Sequence, residues 1–254
     1  MKAPKVEFSI ASINRIFPMI HFFLNPTKKQ WDWSNAIYKN YPELKSKLLT
    51  VKDKNKRKEI EYHFFLDVFK KEKNELEKSA KRFQKDWDKI NDKVMLVLSE
   101  VIEQEWPEKD RTIHGRTSLN PICPRYIKQR TFDVFYKCSH ARMKAITMHE
   151  ILHFIYFEKW KKVFPKTKQR EFDSPYLVWK LSEMVPGIIL NDDKFQKIFK
   201  HKHRPYKEYE KLKIEGKPLL SYLQNFYDNR KDFADFLKQS WKFVKKHEKE
   251  INSI

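Results

Sequence analysis

Glycine is scarce in this chain, with 3 in 254 residues. A sheet-rich protein needs many tight turns, and tight turns need glycine, so the count argues for helices. Cysteine is scarcer still. Cys123 and Cys138 form no C-x-x-C pair and no disulfide framework, and they read as two reduced, partly buried thiols. Nowhere do 18 apolar residues run together, so no membrane span is expected. The apolar stretch Phe8 to Leu24 is interrupted by Asn14, Arg15 and His21, and no small-residue cleavage site follows it cleanly. The expectation is a soluble, cytoplasmic protein. Arginine is sparse beside lysine, and the lysines are spread along the whole chain. The net charge of +20 therefore reads first as a solvated surface. A nucleic-acid face, which tends to gather arginine among aromatics, is the alternative.

What is present is a foldable core. The chain is 40% hydrophobic and 15% aromatic, well outside the composition of disordered segments. The first hundred residues read as helical. Ile60, Phe64, Val68, Leu76, Phe83, Trp87, Ile90, Val94, Leu98 and Val101 recur at three- and four-residue steps, which places one apolar stripe on one or two long helices. The pattern changes near Pro107. Arg111–Ser118 and Thr131–Cys138 are β-branched, aromatic or alternating, and read as two short strands. Helix returns from about Ala141 to Val163, with Ser139 as the expected N-cap and Pro165 just beyond the end. A further helix is expected over Ser174–Leu190, bent or split at Pro186-Gly187, and others near Lys217–Tyr227 and Arg230–Glu250. The fold class is thus α+β and predominantly helical. A helical N-terminal region, 1–108, is expected to pack with a core region, 109–254, as one compact unit.

The chemistry is concentrated at His149-Glu150-Ile151-Leu152-His153, an H-E-x-x-H pattern. Residues i and i+4 of a helix lie on one face a turn apart, so two imidazoles at this spacing can hold one Zn²⁺. The glutamate between them is rotated about the axis. It can reach a water in the open coordination position without itself being a ligand. The surrounding Ile146, Ile151, Leu152, Phe154, Ile155, Tyr156, Phe157 and Trp160 are apolar nearly all round. Burying two histidines and a glutamate in such a helix is costly unless a metal partners them. A third protein ligand is required. Tyr156 and Lys159 stand where an extended H-E-x-x-H-x-x-G-x-x-H pattern would need Gly and His, and Glu158 falls on the opposite side of the helix. Glu183 is the leading candidate, a carboxylate inside the apolar run Leu177–Val185. His201, His203 and Asp192 are weaker alternatives, and Asp192 and Asp193 read better as caps of the next turn.

This combination resembles the gluzincins, the zincin metallopeptidases in which H-E-x-x-H is followed by a glutamate on the next helix. The likeness covers roughly residues 110–190. It implies a zincin-like core, with a small twisted sheet, the helix of His149 and His153, and a following helix that carries Glu183. It also implies a peptide or protein substrate aligned along an edge strand, for which Thr131–Cys138 is the candidate. Many gluzincins carry an aspartate four residues after the ligand glutamate; that position here is Gly187, so the partner that orients the histidines must come from elsewhere, with Asp192 or a main-chain carbonyl as candidates. The implied activity is zinc-dependent peptide hydrolysis with Glu150 as base. An oxyanion donor would come from Tyr176, His203, Arg204 or Tyr206.

Overall fold

The computed structural model describes residues 3–27, 32–108 and 111–253. In chain order the elements are β1 (Lys5–Ile10), α1 (Ile13–Leu24), α2 (Ser34–Asn40), α3 (Pro42–Leu48), α4 (Lys54–Asp88), α5 (Asn91–Ile102), β2 (Thr112–Ser118), β3 (Arg125–Tyr126), β4 (Thr131–Phe135) and α6 (His140–Val163). There follow a 3-10 turn (Gln169–Phe172), α7 (Leu177–Met184), α8 (Pro186–Ile189), α9 (Asp193–Gln196), α10 (Lys207–Lys211), the β5–β6 ribbon (Lys213–Ile214 and Lys217–Pro218), α11 (Leu219–Asp228), α12 (Phe233–Lys246) and α13 (Glu248–Asn252). The fold is predominantly helical with a small mixed sheet. No helix among the described residues is long and apolar enough to cross a membrane.

The chain forms two compact units, each built from separate stretches: 6–89 with 112–147, and 1–5 with 90–111 and 148–254. Residue 108, the boundary expected from sequence, lies inside the second of these.

The first unit holds the sheet, in the order β1-β2-β4-β3, with β2 and β4 parallel and β3 antiparallel to β4. Strand β1 lies in the stretch read as helical from sequence. Its alternation of Val6, Phe8 and Ile10 with Glu7 and Ser9 has the period of a strand, and Gln84 of α4 bonds its edge, accepting from Phe8 N–H at 2.7 Å and donating to Val6 C=O at 3.0 Å. Phe8 packs edge-on against Phe83 of α4 and Phe132 of β4. Gly115 makes room for that ring, since a Cβ there would lie 2.5 Å from it. Over residues 131–135, β4 is an inner strand rather than the expected edge. β2 lies on one side of it, while on the other β3 pairs with Thr131 and Phe132 and Asp133 N–H donates to the Pro124 carbonyl. The apolar stripe on α4 also shifts: Phe65, not Phe64, is buried, and so is Glu61, whose oxygens lie 3.3 Å from Arg57 Nε and 2.5 Å from His21 Nδ1.

The second unit is helical and contains the candidate site. From Met148 onward α6 is buried on nearly every side as far as Phe157, as a helix that is apolar all round must be. Phe157 stacks on Phe172 of the 3-10 turn, with centroids 4.5 Å apart, and Trp160 meets Trp241 of α12 at 5.2 Å. Pro186 opens α8 at its first turn, where a missing N–H costs nothing, and so separates α7 from α8 at the expected place. Lys180 of α7 is buried and donates from Nζ to the Ile251 carbonyl of α13 at 2.9 Å.

Candidate metal centre

The site begins with α6. Ser139 caps it as expected: its carbonyl accepts from Met143 N–H at 2.9 Å, and its hydroxyl faces Arg142 N–H at 3.3 Å. Ten residues on, His149 and His153 stand one turn apart on one face. Their ring centroids are 4.8 Å apart, and their Nε2 atoms are 3.0 Å apart. Two neutral ring nitrogens at that distance oppose lone pair to lone pair unless a proton or a cation lies between them. Glu183 of α7 meets both. Oε2 lies 3.3 Å from His149 Nε2, and Oε1 lies 3.6 Å from His153 Nε2. His153 and Glu183 are each 1% exposed, whereas the His149 side chain is 24% exposed and opens the cluster to solvent.

These residues form the one group of three or more His, Cys, Asp or Glu side chains among the described residues that could hold a metal ion, with one ligand atom from each within 4.8 Å of the others. Two nitrogen donors and one carboxylate oxygen suit zinc, and two ligand atoms on a tetrahedral zinc at about 2.0–2.1 Å lie roughly 3.3 Å apart. The two imidazole nitrogens, 3.0 Å apart, are near that spacing, and they face different oxygens of Glu183, at 3.3 Å and 3.6 Å. The donor set suits the ion. Glu150 is buried on α6, one residue after His149 and so about 100° around the axis.

The remaining candidates separate by burial. Glu158 pairs with Lys161 at 3.2 Å, away from the cluster. Asp192 is a cap, its Oδ1 accepting from Lys194 N–H at 2.9 Å, and its Oδ2 accepts from Tyr227 hydroxyl at 3.3 Å. Tyr176 is exposed at the N-cap of α7, Arg204 is exposed, and Tyr206 caps α10. His203 differs from these. It is 8% exposed, and its Nε2 is buried with no hydrogen-bond partner. Burial, and then the positive charge of His149 and of His201, drives its pKa down to about 3. The ring therefore stays neutral near pH 7. His201 stacks on Phe199 and meets the His203 ring at 4.9 Å, but neither histidine belongs to the ligand group.

Two features were not read from the sequence. Tyr209 is fully buried, and burial and then the charge of Glu183 raise its pKa. Asn191 bonds both main-chain groups of His203. Neither sits in a local motif, and the lone aromatic within the charged run Lys207–Lys211 was the available hint for Tyr209. Gly187 is closely packed. Pro205 lies against it so closely that a Cβ would come 2.8 Å from the proline Cδ.

No protein-family model, no curated protein and no solved structure matches this chain.

Proposed function

We propose that the protein is a zinc-dependent peptidase with a gluzincin-like site, in which His149, His153 and Glu183 hold the metal and Glu150 is the general base. The observation that carries this reading is the convergence of both Nε2 atoms of the H-E-x-x-H pair on a fully buried carboxylate from the next helix. A buried carboxylate facing two imidazoles is expensive without a cation, and zinc supplies one. The reading carries with it a zincin-like core to which the mixed sheet, α6 and α7 belong. When bound, the zinc ion supplies Lewis-acid chemistry, polarising a carbonyl and making water a stronger acid.

The chain's own groups do the rest. Glu150 takes a proton from the attacking water as it adds to the peptide carbonyl carbon, and passes it to the leaving amine nitrogen. The oxygen of that carbonyl gains negative charge as the bond forms. Tyr176, His203, Arg204 and Tyr206 are the candidates to give it an N–H or O–H. The partly open side of His149 is the side from which a peptide can enter.

The test is Glu150→Gln, which keeps the shape of the side chain but cannot accept a proton. The variant should fold, retain zinc, and hydrolyse casein or a quenched-fluorescent peptide library at least about a hundred-fold more slowly than wild type, the usual scale of a lost general base. Equal rates for the two proteins would contradict the assignment. A folded variant without zinc would show that Glu150 supports the metal instead.

A further inference from the structure

Strand β1 is an edge of the sheet, with β2 on one side only. Ala11, the residue that follows it, turns its N–H inward to the Thr117 carbonyl at 2.9 Å. Successive residues of a strand turn their main-chain groups to opposite edges, so Val6, Phe8 and Ile10 turn theirs outward. An open strand edge is a template for another chain, and proteins cover such edges. Here one side chain covers part of it. Gln84 of α4 donates from Nε2 to the Val6 carbonyl at 3.0 Å and accepts at Oε1 from Phe8 N–H at 2.7 Å. In a parallel ladder one residue of the added strand makes the same two bonds, to the carbonyl of one residue and to the N–H of the residue two further on. The Gln84 amide thus takes the place of one residue of a parallel strand. Asp88 steadies it, accepting from the same Nε2 at 2.7 Å.

The next pair on that edge is the Phe8 carbonyl and the Ile10 N–H, and no side chain of the described residues bonds it. It opens on a groove of about 630 Å³ between β1 and α4, with Phe8, Ser9 and Ile10 on one side and Ala80, Lys81 and Lys85 on the other. We propose that this groove binds an extended peptide segment, which adds to β1 as a parallel strand and continues the register that Gln84 begins. The peptide residue across from Ser9 takes the open pair. Its two neighbours turn to the α4 side, where Phe8, Ile10, Ala80 and the lysine methylenes offer apolar contact. Charge sets a second requirement. With Asp88 engaged by Gln84, the rim keeps Lys81 and Lys85, both exposed, against Glu77. The segment that fits is apolar at alternate positions and carries an acidic residue. Main-chain bonds supply affinity in this mode, and the alternate side chains supply selectivity. The proposal is independent of the metal-site reading.

The test selects linear peptides from a displayed random library on the immobilised full chain, and measures the enriched peptides by fluorescence anisotropy. They should share the alternating apolar pattern and the acidic residue. An N-methyl scan along each peptide should show a loss of at least about ten-fold at one residue, the scale of a main-chain hydrogen bond removed and its partner left unsatisfied. The residues on either side of it should tolerate the methyl group, because their N–H groups point away from β1. Ile10→Pro removes the N–H of the open pair and should weaken binding to the same extent. If that variant does not fold, the peptide scan decides alone, since it leaves the protein unaltered. Lys81→Glu combined with Lys85→Glu should weaken binding as well. His153→Ala, folded by circular dichroism, should bind the peptides as wild type does, whether or not the chain holds zinc. A library that yields no binding peptide, a flat N-methyl scan, or binding that is lost in His153→Ala would each overturn the proposal.

Discussion

At His149 and His153 the sequence and the geometry say the same thing, because an i, i+4 spacing within one helix needs no tertiary information to be read. The nearness of Glu183 to both was legible for a different reason: a carboxylate inside an apolar helix needs a partner. Which of the four donor candidates is buried was not legible. Tyr176, His203, Arg204 and Tyr206 differ by burial, and the main chain of His203 is held by Asn191, twelve residues earlier in the chain. The metal reading makes a sharp prediction at this scale. Glu183→Ala leaves two protein ligands and should weaken zinc binding by at least about a hundred-fold, more than is usual for loss of an outer-shell partner. Glu183→Gln, which keeps a carbonyl oxygen, should weaken it less. Competition against a chromophoric chelator measures both. An alanine variant that binds zinc as tightly as wild type would remove Glu183 from the ligand set.

Among elements, the long amphipathic and buried helices were the readable ones. The start and end of α6 fall within a residue of expectation, since Ser139 marks one and Pro165 follows the other. The short strands were less so. β1 is six residues long and becomes a strand through Gln84 and through β2 beside it, neither of which its own residues announce. β3 is two residues long, and its pairing turned the expected edge, β4, into an inner strand. The junction of α7 and α8 was visible at Pro186-Gly187, although the use of the glycine was not. Because Gly187 meets both side-chain and main-chain atoms of Pro205, Gly187→Ala forces the 201–205 segment to shift. It should destabilise the protein by about 1–3 kcal/mol, the usual range for overpacking. Chemical denaturation should show a lower midpoint; an unchanged midpoint would mean that the segment yields freely and that this contact does not hold it.

For the whole molecule, the charge of +20 is carried mainly by lysines spread along the chain. Stability should depend on pH through His203. An unfolded histidine has a pKa of about 6.5, and the buried ring titrates at about 3. Between those values the unfolded chain binds more protons, so lowering the pH through this window costs the metal-free fold up to about 1.4 kcal/mol per pH unit from this one group. Denaturation of wild type and His203→Gln between pH 7 and 5 should show the steeper loss in wild type; parallel slopes would contradict the burial of a neutral ring. The central claim is tested most directly by the metal content of the purified chain. Elemental analysis of wild type, after reconstitution under non-chelating conditions, should find about one zinc per chain, with two histidines and one carboxylate as the protein ligands. His153→Ala, folded by circular dichroism, should lose most of it. A wild-type protein that takes up no zinc, or a His153→Ala variant that keeps its full complement, would contradict the account.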